Sequence, residues 1–258
     1  MEVHPHPHSE GKRLKHYLFE FLMLFLAVFA AFIAENLREH YTEHKKAREY
    51  ISSMIEDLKQ DTSMLNLRII YYNNAVKGID TILDILEQPS LNDSSVLKLY
   101  LLNNFATNGF APAFSQRTLA QLKNSGGLRL IHNKLISDTI SIYDNNITFQ
   151  QGVLKSIDEQ TTTNSNFGTI IFDNRYYRNY NIDSLRQVIS MTQSFSHLLV
   201  GKNIPHLLTT NPLTLRQYAN YAAIVQGVDN YNIVLLTEQK QLATRLIQLM
   251  RKEYHHLE

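Results

Sequence analysis

Hydrophobic positions are not spread evenly along this chain. Residues 18–34, LFEFLMLFLAVFAAFIA, hold one charged side chain, Glu20, in seventeen positions. From Phe21 onward the stretch is apolar on every side, so it offers water no polar face. As a helix it spans about 25 Å, against roughly 30 Å for a hydrocarbon core. Leu14, Tyr17 and Leu37 extend its apolar character at both ends. Lys12, Arg13 and Lys15 would also suit the basic head of a signal peptide. No glycine, proline or turn residue follows Ala34, however, and Glu35-Asn36-Leu37 reads as continuing helix. The pattern predicts a retained transmembrane helix over residues 18–36.

The next pattern is a heptad. Leu37, Tyr41, His44, Arg48, Ile51, Ile55, Leu58, Thr62, Leu65, Ile69, Tyr72, Val76, Ile79, Leu83 and Leu86 alternate in steps of four and three. From Ile51 only Thr62 is not apolar. A 3.5-residue repeat held this long predicts one helix packed in a bundle or coiled coil, ended by Pro89. Residues 37–50, charged with both signs, are expected to form a solvated stalk. The same 4-3 spacing returns at Ile136, Ile140, Tyr143, Ile147, Gln150, Leu154 and Ile157, predicting a second long helix over about 134–159. Matched in period and separated by a compact corner, the two are expected to pair as an antiparallel hairpin.

Shorter elements complete the reading. Residues 96–105 predict a short apolar helix, and residues 115–123 another with Ser115 as its cap. Asn124-Ser125-Gly126-Gly127 then forms a corner, with helix restarting over 128–133. The Gly-Gly pair beside Lys123 lacks the GxxxxGK[ST] spacing of a phosphate loop. Residues 161–166, TTTNSN, are the best loop in the chain. Residues 169–172 suggest a brief strand without an obvious partner, inside an aromatic loop over 167–180. A helix is expected over 182–200, a linker over 201–212, and a last helix over 213–254. In that helix Leu215, Tyr218, Ala222 and Val225 precede a register break at Gly227, after which Leu235, Leu242, Leu246 and Leu249 resume the stripe. The fold class expected is therefore all-α. A tail (1–17) and the membrane helix (18–36) precede a helical bundle domain (37–258).

Composition trims the functional choices. A net charge of +1 without a basic patch interleaved with aromatics removes the case for nucleic-acid binding. The absence of cysteine excludes disulfide scaffolds, thiol catalysis and cysteine-ligated zinc. His4, His6 and His8 alternate with Pro5 and Pro7, a spacing that favours an extended tail over a metal site. Glu56, Asp57 and Asp61, and Asp80 with Asp84, place carboxylates at helical spacing. No Glu-x-x-His pair accompanies them, so a di-metal bundle site is not supported. His132, His197 and His206 are scattered singles. Neither a cofactor nor a catalytic or metal constellation is expected, and the chain does not read as an enzyme.

One face of the membrane segment does carry information. Glu20, Ala27, Ala31 and Ala34 lie at helical spacing, with Arg38 in line above them. Small residues four apart let helices approach closely in lipid, and an intramembrane carboxyl normally faces protein or water. These residues are the candidate self-association face, although Glu20 also sits near enough to the boundary to snorkel.

Four stretches carry a resemblance. They are the His/Pro tail before KHYLFEFLMLFLAVFAAFIAEN, then YISSMIEDLKQDT, TLAQLKNSGGLRLIHNKLI and the ending RKEYHHLE. In their order and flanks they resemble a family of uncharacterised single-pass membrane proteins from Bacteroidota, a domain of unknown function. The resemblance implies a membrane-anchored helical domain with a natural C-terminus, and no activity. The functional expectation is a structural or interaction protein of the cell envelope, partnered by the lipid bilayer, by copies of itself and by an envelope protein. The alternative is a ligand-sensing bundle that signals through a partner. Near the span Lys12, Arg13 and Lys15 face Arg38 alone, which favours an inner-membrane protein with its bundle in the periplasm.

Overall fold

The computed structural model describes residues 10–107, 112–179 and 206–254, with side chains throughout these except at 10–14, 154–165 and 177–179. The fold is all-α. Helix α1, Glu10–Leu86, runs without interruption for 77 residues, about 115 Å at 1.5 Å per residue. It contains no proline, and Pro89 lies just past its end, as the heptad reading expects. Asn92 then caps α2, Asp93–Thr107, by accepting the Ser95 N–H at 2.9 Å. Helix α3 is Arg117–Asn124, α4 is Lys134–Ile171 and α5 is Pro212–Glu253. Asn133 and Asn211 cap α4 and α5, each accepting two backbone N–H groups, and Pro212 takes the first turn of α5, where its missing N–H costs nothing.

Four long columns result. α1 rises from the apolar segment; α2 and then α3 descend beside it; α4 rises again; α5 descends. α1 and α5 share the most extensive interface, α5 packs on α4, and α2 bridges α1 and α4. α1 and α4 therefore stand diagonally and run parallel, not as the antiparallel hairpin expected from their matched periods. The reason is that α2 and α3 together carry the chain back down the bundle before α4 starts.

Several boundaries also differ from expectation. α4 continues through the TTTNSN stretch to Ile171, because helix already under way against a neighbour tolerates polar residues that would not start one. The suspected strand is reduced to a single antiparallel bridge between Phe172 and Leu207, supported by Leu208 N–H donating to Ile171 O at 2.8 Å. A 3-10 turn, Asn174–Asn179, replaces much of the aromatic loop. Residues 127–130 form a 3-10 turn instead of restarting an α-helix. Gly126 enters it at φ 65°, where a side chain would be strained. Ser115 does not cap α3; its cap position is Gln116, whose side chain makes no capping bond. The helix expected over 182–200 lies outside the described residues.

The largest correction concerns the seams. On α5 the buried positions are Tyr218, Ala222, Val225, Asp229, Asn232, Leu236, Gln239, Ala243, Leu246 and Met250, an unbroken 4-3 repeat straight through the Gly227 region. No register break exists. Asp229, Asn232 and Gln239 occupy seam positions, so apolar residues counted alone suggest one. On α1, Ile51, Leu58, Leu65, Tyr72 and Ile79 are buried as expected. Among the alternate positions Ile55 is buried as expected, beside Met54, but higher up burial shifts by one residue: Asp61, Ala75 and Ile82 are fully buried, whereas Thr62, Val76 and Leu83 are half-buried.

Gly78 marks the tightest approach in the upper bundle. A Cβ there would sit 2.5 Å from Cδ2 of Phe105, a ring that is itself fully buried and cannot swing away. Gly78→Ala is expected to destabilise the fold by about 1–3 kcal/mol despite alanine's better helix propensity. Urea unfolding followed by circular dichroism checks this; a variant as stable as the parent would show that the helices separate freely at that point.

Candidate functional site

Two apolar cores stack along the bundle. The upper one joins Tyr72, Ile79 and Ile82 to Leu99, Phe105, Phe172 and Tyr218. The lower one joins Ile51, Met54 and Leu58 to Leu119, Ile136, Ile140, Leu246 and Met250. Between and beside them lies a set of buried polar groups.

Asp61, 1% exposed, is the centre of that set. Its carboxylate accepts the Ser115 N–H at 2.8 Å and the Tyr143 hydroxyl at 2.7 Å. One turn below, Asp57 accepts the Thr118 N–H at 3.1 Å and the Arg117 guanidinium at 3.3 Å. Asp57 thus supplies the N-terminal capping that α3 lacks from its own sequence, Asp61 holds the backbone just before it, and together they lock the corner region at one height on α1. Tyr143 O in turn accepts from Gln239 Nε2 at 3.2 Å, tying in α5. Burial raises the Asp61 carboxyl above its usual range, while the bonds from Ser115 and Tyr143 oppose that rise. Burial is also the first cause of the strongly raised Tyr143 hydroxyl.

Further up, Gln150 donates to Leu235 O at 3.4 Å, leaving its Oε1 without a hydrogen-bond partner, as is Asn232 Nδ2. Both residues line a cavity of about 10 Å³, roughly the space of one water. Asp229, 5% exposed, sits one turn from Asn232, and burial raises its carboxyl to about 7.

This arrangement positions helices; it does not expose chemistry. The carboxylates expected to pair split by role. Asp57 caps α3, Asp61 holds Ser115 and Tyr143, Glu56 is exposed, and Asp80 bonds to Gln226. Among the described residues no group of three or more His, Asp or Glu is arranged to hold a metal ion. His132 is exposed and meets His44, ring centroids 5.3 Å apart; the backbone carbonyl of His206 accepts from Tyr100 at 2.8 Å. His4, His6, His8 and His197 lie outside the described residues. A larger cleft of about 770 Å³ opens at the far end of α1, between Leu83–Leu91 and Pro212–Ala223, with Arg216 and Glu87 at its walls.

The membrane candidates fall where a straight helix puts them. Glu20, Ala27, Ala31 and Ala34 share one face of α1, all exposed. His16 Nε2 approaches Glu20 Oε1 at 3.5 Å. Phe21, Phe25 and Phe29 stack in a row, centroids 6.4 and 6.0 Å apart, on the side away from Ala27 and Ala31. The apolar segment is long and hydrophobic enough to cross a membrane, and none of it is buried by the rest of the chain. The buried polar seam is what sequence reasoning missed. Asp57 and Asp61 four residues apart, inside an otherwise apolar heptad, were its available signal.

No protein-family model, no curated protein and no solved structure matches this chain.

The Asp229 environment makes a checkable statement about stability. In the unfolded chain this carboxyl ionises near 3.8, in the fold near 7. Between those values the unfolded state binds fewer protons, so stability falls as pH rises from about 4 to 7 and is flat above. The full penalty is of the order of 4 kcal/mol at about 1.4 kcal/mol per pH unit. Asp229→Asn is expected to remove that fall, leaving the variant more stable than the parent at pH 8.5 and no better at pH 4. Thermal melts at the two pH values measure it, and equal pH dependence in both proteins would contradict it.

Proposed function

We propose that this protein is a membrane-anchored helical structural or interaction protein of the cell envelope, self-associating through the membrane segment. The observation that carries the reading is α1. One uninterrupted helix leads from an apolar segment with no intramolecular cover into the centre of a four-column bundle. Such a helix cannot act as a flexible tether; it holds the bundle upright at a fixed distance from the bilayer. The resemblance to single-pass Bacteroidota proteins supports the same reading. In the bilayer, Ala27, Ala31 and Ala34 form the surface along which two copies approach, with Glu20 as a polar contact at its lower end. The bundle stands on the periplasmic side of the inner membrane, with the tail of Lys12, Arg13 and Lys15 in the cytoplasm.

A second reading, a sensor that passes ligand binding down α1 to a partner, is favoured by the cleft at the far end of the bundle. It requires a ligand whose addition changes association; the structural reading does not.

Three measurements test the proposal. Alkaline carbonate extraction should leave the chain in the membrane pellet, and release of intact protein would remove the anchor. A periplasm-dependent reporter fused after Glu258 should be active, whereas activity only from a cytoplasmic reporter would invert the orientation. Ala27→Leu combined with Ala31→Leu should weaken association at least several-fold across a dilution series by light scattering, with the bundle's melting temperature unchanged. A parent that is monomeric throughout, or a double variant that associates equally well, would exclude this face.

A further inference from the structure

The part of α1 between the apolar segment and the bundle sorts its charges by face. At about 100° per residue, Glu35, Glu39, Glu43 and Glu49 fall on one side of the helix, with Lys46 and Arg38, which pairs with Glu35, among them. His40, His44, Lys45 and Arg48 fall on the other. This cationic side is exposed, the contact with the bundle at this height being made by Ala47 and the half-buried Glu43 and Tyr50. His44 meets the ring of His132, and Arg48 lies close enough to Tyr254 to lower its hydroxyl against the rise that burial causes. With Leu37 and Tyr41, the four residues of the cationic side line a hollow of about 400 Å³ on the surface of α1, with no carboxylate among its described lining residues.

The hollow's height decides what it meets. The apolar segment ends near residue 36, and a headgroup layer extends roughly 5–8 Å beyond the hydrocarbon on each side. Leu37 and Tyr41 therefore stand within that layer, while the backbone of Lys45 and Arg48 lies about 13 and 18 Å above the hydrocarbon. Side chains on an α-helix lean toward its N-terminus, which on α1 is the membrane end. Lys45 thus leans down over the hollow, with a stem long enough to bring its charge to the level of the phosphates, while the Arg48 guanidinium stays a few ångströms above them as a second positive charge.

We propose that this hollow binds the phosphate headgroup of an anionic phospholipid from the bilayer that α1 spans. The proposal rests on the membrane-anchor reading. Lys45 offers a cation to the phosphate, Arg48 a second positive charge above it within a Debye length, and the His40 and His44 imidazoles N–H donors. Leu37 and the Tyr41 ring lie against the glycerol region, and the Tyr41 hydroxyl faces the headgroup. A zwitterionic headgroup would bring a choline cation against the same positive wall and is disfavoured. Free phosphate lacks the apolar part that Leu37 and Tyr41 accommodate.

The test uses the full chain in neutral detergent micelles, titrated with phosphatidylglycerol or phosphatidylcholine, with retained lipid counted by native mass spectrometry. The parent should retain phosphatidylglycerol at least about tenfold more strongly, and millimolar inorganic phosphate should not displace it. Each basic side chain near an anionic surface is worth roughly fivefold, so Lys45→Gln with Arg48→Gln should cost about 25-fold and abolish the preference. Lys46→Gln, on the acidic face, should leave it intact, and all variants should melt at the parent's temperature. Equal retention of the two lipids, an unaffected double variant, or an equal loss with Lys46→Gln would overturn the site. So would a self-association that vanishes with the double variant while no lipid preference exists, since that would give the face to a second copy. Carbonate extraction reads the anchor separately. A chain that stays in the pellet but shows no lipid preference loses only this site, whereas a released chain loses both.

Discussion

The unbroken backbone hydrogen-bond ladder of α1 is the constraint on which the rest of the molecule depends. No proline interrupts it between Glu10 and Leu86, and its two glycines, Gly11 and Gly78, do not break it. In the bundle its stability comes more from other elements covering its apolar stripe than from propensity. Here α5 covers one side over most of the bundle's height and α2 with α3 the other, so α1 serves as the post against which these three helices are aligned, and α4 joins through α5 and α2. The apolar segment and the upper core are consequently parts of one rigid element.

A stack of apolar layers would leave such helices free to slide by a turn. The buried polar groups remove that freedom. Asp61 satisfies donors from the α3 corner and from α4 at once, and Gln239 of α5 reaches the same level of α4. Sliding any one column by a turn would strand a carboxylate, a hydroxyl or an amide in an apolar layer, each costing about 1–3 kcal/mol. Replacement of such groups by well-packed hydrophobes often stabilises proteins, so their contribution here is to register more than to stability. The raised Asp229 carboxyl fits that view, because it weakens the fold near neutral pH while sitting at a seam position.

Much of this was legible in the chain, and the failures have a common cause. The α-class, the apolar segment, the end of α1 before Pro89 and the glycine corner all follow from periodicity and turn chemistry, which are local. The seam of α5 reads as broken at Gly227 when apolar residues alone are counted, because Asp229, Asn232 and Gln239 hold seam positions. On α1 the same counting selects Thr62 where Asp61 is the buried residue. Periodicity counts apolar residues and is blind to a polar side chain whose partner comes from elsewhere in the sequence. The end of α4 was misplaced because TTTNSN lowers local propensity in a helix that its neighbours sustain. The parallel course of α4 depended on the direction of α2 and α3, which no pattern within α1 or α4 encodes.

Under the proposed anchoring, the unbroken length of α1 also has a lateral meaning. A transmembrane helix tilts by about 20° on average, and some 49 residues of α1 stand above Leu37, about 74 Å of rod, so that angle displaces the Leu86 end sideways by roughly 25 Å. A hinge near the bilayer would absorb such tilting, whereas a rod amplifies it. The top of the bundle, with its cleft and the caps of α2 and α5, therefore sweeps a disc far wider than the bundle itself. Any change in bilayer thickness that alters the tilt becomes a horizontal displacement at that height.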